Sequence, residues 1–134
     1  MRDAFLTVIF ATLLVARAAS PVAAHHSFAA EFDVTKPIML VGTVTKLEWT
    51  NPHAYLYIDV KDPQTGVVTN WEIEMGSPNG LTRLGWTRNL VKPGDGVSIE
   101  GSLGRNKPHL ANARSVVMTA TGRKLGAASS EGVR

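Results

Sequence analysis

The sequence predicts an all-β protein with one short helix, arranged as a small five-stranded OB-like barrel; a small β-sandwich is the alternative. Three observations favour this class. After residue 38, apolar and polar residues alternate with the period of two that is typical of β-strands. The pattern of a helix N-terminus lies between the third and the fourth of these alternating stretches. The first stretch changes its apolar phase part-way, as a strand does at a barrel corner, and this order of elements matches the OB-fold.

The first strand is predicted over residues 38–49. Leu40 and Val44 share one parity, whereas Leu47 lies on the other. Gly42 is inside the strand, and a glycine within a strand often marks a bulge. We therefore expect either a bulge or a sharp bend at Gly42.

The second and third strands are predicted over residues 54–60 and 67–75, and residues 62–66 form the hairpin turn between them. In the second strand, the apolar side chains alternate with Tyr55 and Tyr57, which fall on the opposite face. The third strand has the clearest alternation in the chain. These two strands are expected to pair directly.

A short helix is predicted after the third strand, with Ser77 as its N-cap and Pro78 at its first position. Turn residues 92–96 then lead into a fourth strand over residues 97–103. The fifth strand is predicted over residues 110–118.

The N-terminal region has the pattern of a removable signal peptide. A basic Arg2, an apolar run over residues 6–15 and small residues before His25 predict cleavage after Ala24. The alternative is an uncleaved anchor, although the apolar run is well short of the roughly 20 residues that span a bilayer. We expect a periplasmic or secreted protein without a transmembrane segment in its mature form. Its predicted parts are a signal peptide (1–24), an N-terminal extension (25–37), the OB-like barrel domain (38–119) and a disordered tail (120–134).

Composition restricts the classes of function. Cysteine is absent, which excludes disulfides and thiolate chemistry. Lys and Arg number 14 against 11 Asp and Glu, and the basic residues are scattered, so we expect no nucleic-acid partner. No Gly-x-Ser-x-Gly motif and no phosphate-cradling glycine loop is present. The sequence therefore indicates a binding protein rather than an enzyme.

The four histidines are His25, His26, His53 and His109. Cleavage after Ala24 would make His25 the first residue, so that its α-amine and ring Nδ1 could chelate one metal ion. An imidazole from His26 or His53 would complete a set of nitrogen ligands, which favours Cu(II). We therefore predict a metal site at His25, His26 and His53, with copper as the bound metal. The open alternative is a solvated, flexible terminus and a His53 that satisfies turn carbonyls.

Tyr55 and Tyr57 form a second candidate site. OB-folds often bind extended ligands on their second and third strands, and aromatic faces stack on bases or sugar rings. We expect a ligand-binding face at these tyrosines for an envelope protein, a glycan or another small ligand; ordinary cross-strand packing is the alternative. Glu72 and Glu74 are expected on an exposed strand face without a catalytic role.

A set of short blocks carries a resemblance to a known family. The blocks cover nearly the whole predicted mature chain and are HHSFAAEFD (25–33), GTV (42–44), EWTNPH (48–53), NWE (70–72), GSPN (76–79), GW (85–86), KPGD (92–95) and ANAR (111–114). Together they resemble an uncharacterised family of short exported proteobacterial proteins whose domain has no known function. The resemblance implies an exported small β-barrel and supplies no catalytic residues. In similar members, the His-His and Asn-Pro-His blocks stand as motif elements, which draws attention to the metal hypothesis.

Overall fold

A computed structural model describes residues 27–128, which form two short helices and six strands. The elements are α1 (Phe28–Glu31), β1 (Phe32–Glu48), β2 (Tyr55–Lys61), β3 (Val68–Glu74), α2 (Pro78–Arg83), β4 (Gly96–Gly104), β5 (Leu110–Met118) and β6 (Lys124–Gly126). The predicted signal peptide, His25, His26 and residues 129–134 lie outside the described residues. Within residues 27–128, neither helix has the length and apolar character needed to cross a membrane.

The six strands form one sheet in the order β3-β2-β1-β4-β5-β6. These neighbours are antiparallel, and β3 also pairs in parallel with β5, through Glu72 with Leu110, Ile73 with Ala111 and Glu74 with Asn112. This extra pairing closes the five strands β1, β2, β3, β4 and β5 into a ring. The predicted all-β class with a short helix between the third and fourth strands is therefore confirmed, and the five-stranded closure is the one expected of an OB-like architecture.

β1 is long because it pairs with two neighbouring strands. Its residues 32–43 pair with β4, and its residues 43–48 pair with β2. The register between β1 and β2 shifts between Val44 and Lys46, so the bulge lies there and not at Gly42 as predicted. Gly42 has another role. A Cβ at this position would lie 2.5 Å from the carbonyl oxygen of Asp59, so a glycine is needed for the close approach of β2.

The core is formed by strand side chains that point into the ring and by residues in and around α2. Fully buried large side chains include Leu56, Ile58, Ile73, Met75, Leu81, Trp86, Val97, Ile99 and Val116. Each such side chain stabilises the fold by about 1.5–3 kcal/mol relative to an exposed position. α2 begins as predicted, because Ser77 Oγ accepts a hydrogen bond from the Gly80 amide at 3.2 Å and Pro78 is the first helical residue.

Both ends of the chain differ from the predicted boundaries. β1 begins at Phe32, inside the stretch 25–37 that was expected to be an extension. β6 lies inside the stretch 120–134 that was expected to be disordered, and it pairs with β5 through Leu125 and Val116. The indole Nε1 of Trp86 donates to the Gly126 carbonyl at 2.8 Å. Apolar burial of Leu125 and this hydrogen bond explain why the described part of the tail is ordered.

Candidate functional site

His53 lies in the loop between β1 and β2, directly after the cis Asn51–Pro52 peptide bond. Its Nδ1 is 3.1 Å from the carbonyl oxygen of Met75. Because a carbonyl oxygen only accepts, Nδ1 must carry a proton, and in the neutral ring the lone pair is then on Nε2. The side chain is 32% exposed, so a ligand can reach it from solvent. The alternative prediction was that His53 binds a carbonyl of its own turn. The ring does bind a backbone carbonyl, but this carbonyl belongs to Met75, which follows β3.

Glu74, the last residue of β3, is buried, although the strand alternation predicted an exposed position. One carboxylate oxygen, Oε1, lies 3.7 Å from His53 Nδ1, and the other accepts a hydrogen bond from the Tyr55 hydroxyl at 3.3 Å. Burial raises the pKa of Glu74, and the charge of His53 partly offsets this effect. A carboxylate beside the N–H of an imidazole orients the ring and makes its other nitrogen a better ligand. The strand pattern gave no signal for this role of Glu74.

Tyr55 and Tyr57 alternate along β2 with the fully buried Leu56 and Ile58, and both are partly exposed. The Tyr57 hydroxyl donates to Glu48 at 3.2 Å. Burial and neighbouring carboxylates raise the pKa of each tyrosine to about 12, so both hydroxyls remain protonated donors at neutral pH. The two rings therefore lie outside the core and are held in place by their hydroxyl groups.

Lys46 covers part of this tyrosine face. Its Nζ lies 4.4 Å from the centroid of the Tyr57 ring and also forms an ion pair with Glu48 at 2.6 Å. A cation over an aromatic face is attracted by the electron density of the ring. Tyr57 is therefore more enclosed by polar neighbours than the sequence alternation alone indicates.

The N-terminal segment is defined here as residues 27–33, and Glu31 is the last residue of α1 within it. In addition to burial, the charge of Glu31 raises the pKa of both Glu74 and Tyr55.

Only one of the three predicted metal ligands lies in the part of the chain that the structure describes. His53 is described, whereas His25 and His26 are not. Within residues 27–128, no group of three or more His, Cys, Asp or Glu side chains is arranged to hold a metal ion. His109 instead packs edge-on against Trp71, with ring centroids 5.3 Å apart. A site of three such side chains that includes His53 would therefore need at least one ligand from outside the described residues.

The sequence model of a family of unknown function, DUF6152, matches residues 12–112. The chain belongs to DUF6152. This membership confirms the resemblance to an uncharacterised family. No match was found among curated proteins or among solved structures. The chemistry of this DUF6152 protein must therefore be inferred from its own residues.

The residues of this DUF6152 protein that stand together are His53, Glu74 and Tyr55. They offer one oriented imidazole with a lone pair on Nε2 and a buried carboxyl group that supports it. This combination suits the binding of a metal ion, because metal-binding histidines commonly have such a partner on their second nitrogen.

Proposed function

We propose that the mature protein is an exported binding protein that holds Cu(II) through its N-terminal histidines and His53. The observation that carries this proposal is the orientation of His53. Its Nδ1–H is engaged by the Met75 carbonyl, with the Glu74 carboxylate at 3.7 Å, and its Nε2 is left as a ligand atom. This is the arrangement that positions imidazoles in many metal sites.

The remaining ligands are the α-amine and ring Nδ1 of His25, and His26 or His53 supplies the third nitrogen. An α-amine has an ordinary pKa of about 7.7–8.0 and an imidazole about 6.5, so both are available to a metal near neutral pH. A tetragonal set of nitrogen ligands favours Cu(II) among first-row ions. The site requires removal of residues 1–24, which is consistent with a periplasmic or secreted location.

A titration with Cu(II) tests the proposal. Protein that begins at His25 is expected to bind one Cu(II) with a Kd below about 1 μM. His25→Ala, and a form whose terminal amine is acetylated, are expected to bind at least about a hundredfold more weakly, because each removes part of the terminal chelate. Affinity is measured by competition with a chromogenic chelator, and the nitrogen ligands by electron paramagnetic resonance.

His109→Ala is the matched control, since it removes an imidazole that packs against Trp71 and not against the His53 loop. This variant is expected to bind Cu(II) as the wild type does. Equal binding by the wild type and the acetylated form would contradict the proposal, because acetylation removes the terminal amine as a ligand.

A second candidate function is the docking of an envelope protein or glycan on the face formed by Tyr55 and Tyr57. Both rings are partly exposed, and their hydroxyls are held by Glu74 and Glu48. Aromatic rings that are already ordered lose little conformational entropy when a ligand binds.

Substitution of one tyrosine tests this second candidate. Tyr57→Ala is expected to reduce co-sedimentation with purified cell-wall glycan while the thermal midpoint changes little. Tyr57→Phe serves as the control that keeps the ring and removes only the bond to Glu48. Unfolding of Tyr57→Ala would instead show that the ring supports the fold, and unchanged co-sedimentation would argue against a glycan ligand.

A further inference from the structure

We propose that residues 38–42 of β1 are a homodimer interface, in which the β1 strands of two copies of this chain pair edge to edge around a two-fold axis. This stretch is called the open edge below. The inference is independent of metal binding and of the proposed function.

In the described chain, only one side of residues 38–42 is paired with another strand. On that side, these residues pair without interruption with residues 97–101 of β4. On the other side, the pairing of β1 with β2 begins only at Thr43, opposite Asp59, and continues toward the end of β1. The open edge therefore has the properties of an edge strand, although β1 as a whole lies inside the sheet.

The backbone groups of Met39 and Val41 point away from β4. The amide of Val44 donates to the Asp95 carbonyl at 2.8 Å, on the side of β4 and in the same register as the β1–β4 ladder. In an antiparallel ladder, the N–H and C=O groups of successive residues point alternately to the two sides. The groups of the even-numbered residues therefore face β4, and those of Met39 and Val41 face the open edge.

The side chains along the open edge are apolar and exposed. Met39 is 69% exposed and Val41 is 60% exposed. They lie on the same face of the strand, because they are two residues apart. Residues 38–42 contain no charged side chain. An edge that combines free backbone groups with exposed apolar side chains and no charge is a template for pairing with another strand.

The open edge ends at a defined residue on each side. At its C-terminal end, Thr43 already pairs with β2. At its N-terminal end, Pro37 has no amide hydrogen, and the register with β4 is irregular between Asp33 and Pro37. Residues 38–42 are therefore the stretch that a partner strand can use, with Leu40 at its centre.

A second copy of the same strand fits the open edge. With the two-fold axis at Leu40, antiparallel pairing places Met39 of each copy opposite Val41 of the other. Both residues direct their backbone groups to the edge, so each of these pairs forms two hydrogen bonds. Their exposed side chains also meet as apolar cross-strand pairs. The interface is therefore self-complementary in its backbone and in its side chains.

The boundaries of the open edge favour a second copy over an unrelated strand. The same axis places Pro37 of one copy opposite Thr43 of the other. Pro37 has no amide hydrogen to satisfy at the position where Thr43 is already paired with β2. An unrelated strand would match the free backbone groups, whereas a second copy matches both ends of the open edge as well.

Sedimentation equilibrium of the metal-free protein that begins at His25 tests the inference. The wild type is expected to form a dimer with a Kd below about 100 μM, because small interfaces give weak to moderate affinity. Met39→Glu and Val41→Lys are each expected to raise this Kd by at least about tenfold, since each places a charge against an apolar side chain across the axis.

The double variant that carries both Met39→Glu and Val41→Lys tests the register. Because residue 39 lies opposite residue 41 of the other copy, this variant forms two Glu–Lys pairs across the axis. Its Kd is therefore expected to be at least about threefold lower than that of either single variant. An equimolar mixture of the two single variants is expected to form heterodimers for the same reason.

Val67→Lys is the matched control. Val67 is also 60% exposed, but it lies in the turn before β3 and not on β1. This variant adds the same charge at an equally exposed valine and is expected to leave the Kd unchanged. Far-ultraviolet circular dichroism checks that every variant is folded.

A measurement on the wild type needs no substitution. A mixture of isotope-labelled and unlabelled protein is expected to show intermolecular nuclear Overhauser effects between the methyl groups of Met39 and Val41. These contacts identify the two side chains that meet across the axis, even if a variant fails to fold.

The outcomes decide the inference. A wild type that stays monomeric far above the expected Kd overturns it. A dimer whose Kd is unchanged by Met39→Glu and Val41→Lys also overturns it, since the interface then lies elsewhere. If both single variants weaken the dimer but the double variant restores nothing, the pairing around Leu40 is overturned. Restoration in the double variant, with no effect of Val67→Lys, supports the pairing.

Discussion

Glu74 shows how a single buried carboxyl group can organise its surroundings. It receives the Tyr55 hydroxyl on one oxygen and faces His53 with the other, while burial raises its pKa. A carboxyl group with a raised pKa in the folded state favours folding most when it is protonated. Its contribution is therefore fully present below the ordinary glutamate pKa and is lost as the pH rises through the raised value.

Glu74→Gln tests this residue. The stability difference between the metal-free wild type and this variant is expected to shift in favour of the variant as the pH rises from about 4 to about 7, because only the wild type must then bury a charge. The measurement is urea unfolding at several pH values. Glu100→Gln is a suitable comparison, since ion pairing and hydrogen bonding with Lys124 and Ser115 lower the pKa of Glu100 and give the opposite trend. Parallel pH profiles for the wild type and Glu74→Gln would contradict the expectation.

Among the elements, β6 is the one that changes the boundaries of the domain. It is three residues long and lies at the edge of the sheet beside β5. Leu125 is only 8% exposed, and Trp86 bonds the neighbouring Gly126 carbonyl. Residues 124–126 therefore belong to the folded unit, although their surroundings are rich in Gly, Ala and Ser.

Leu125→Ala measures the contribution of β6. Removal of a buried leucine side chain typically lowers the free energy of unfolding by about 2–5 kcal/mol, so a loss at the lower end of this range is expected for a strand at the edge. Lys124→Ala, which removes an exposed ion pair with Glu100, is expected to cost less than about 1 kcal/mol. Urea unfolding of the two variants gives the comparison. A negligible effect of Leu125→Ala would mean that the tail contributes nothing to stability.

The elements that were predictable from sequence are those with a local signal. β5 covers the predicted residues 110–118, and α2 begins at the predicted Ser77 cap, because alternation and capping are properties of neighbouring residues. β6 was missed because three residues are too few to show an alternation. The bulge was placed at Gly42 because glycine is the usual marker, whereas the change of apolar phase pointed to the position after Val44 where it occurs.

For the whole molecule, the decisive event is the closure of the ring by β3 and β5. Closure puts Glu74 beside Asn112. The strand pattern could place Tyr55 and Tyr57 outside the core, and it could place His53 in a loop. It could not bury Glu74 or place Arg105 on the N-terminal segment, because the pairing of β3 with β5 and that of β1 with β4 join residues that are far apart in the sequence.

Arg105, which directly follows β4, donates to the Ala29 carbonyl at 2.9 Å and pairs with Asp33 at 3.2 Å. These contacts fix an order of events during synthesis. The ribosome releases residues 27–33 long before Arg105, so this part of the chain has no guanidinium partner while the later strands are still being made. The contacts therefore form only once β4 is complete.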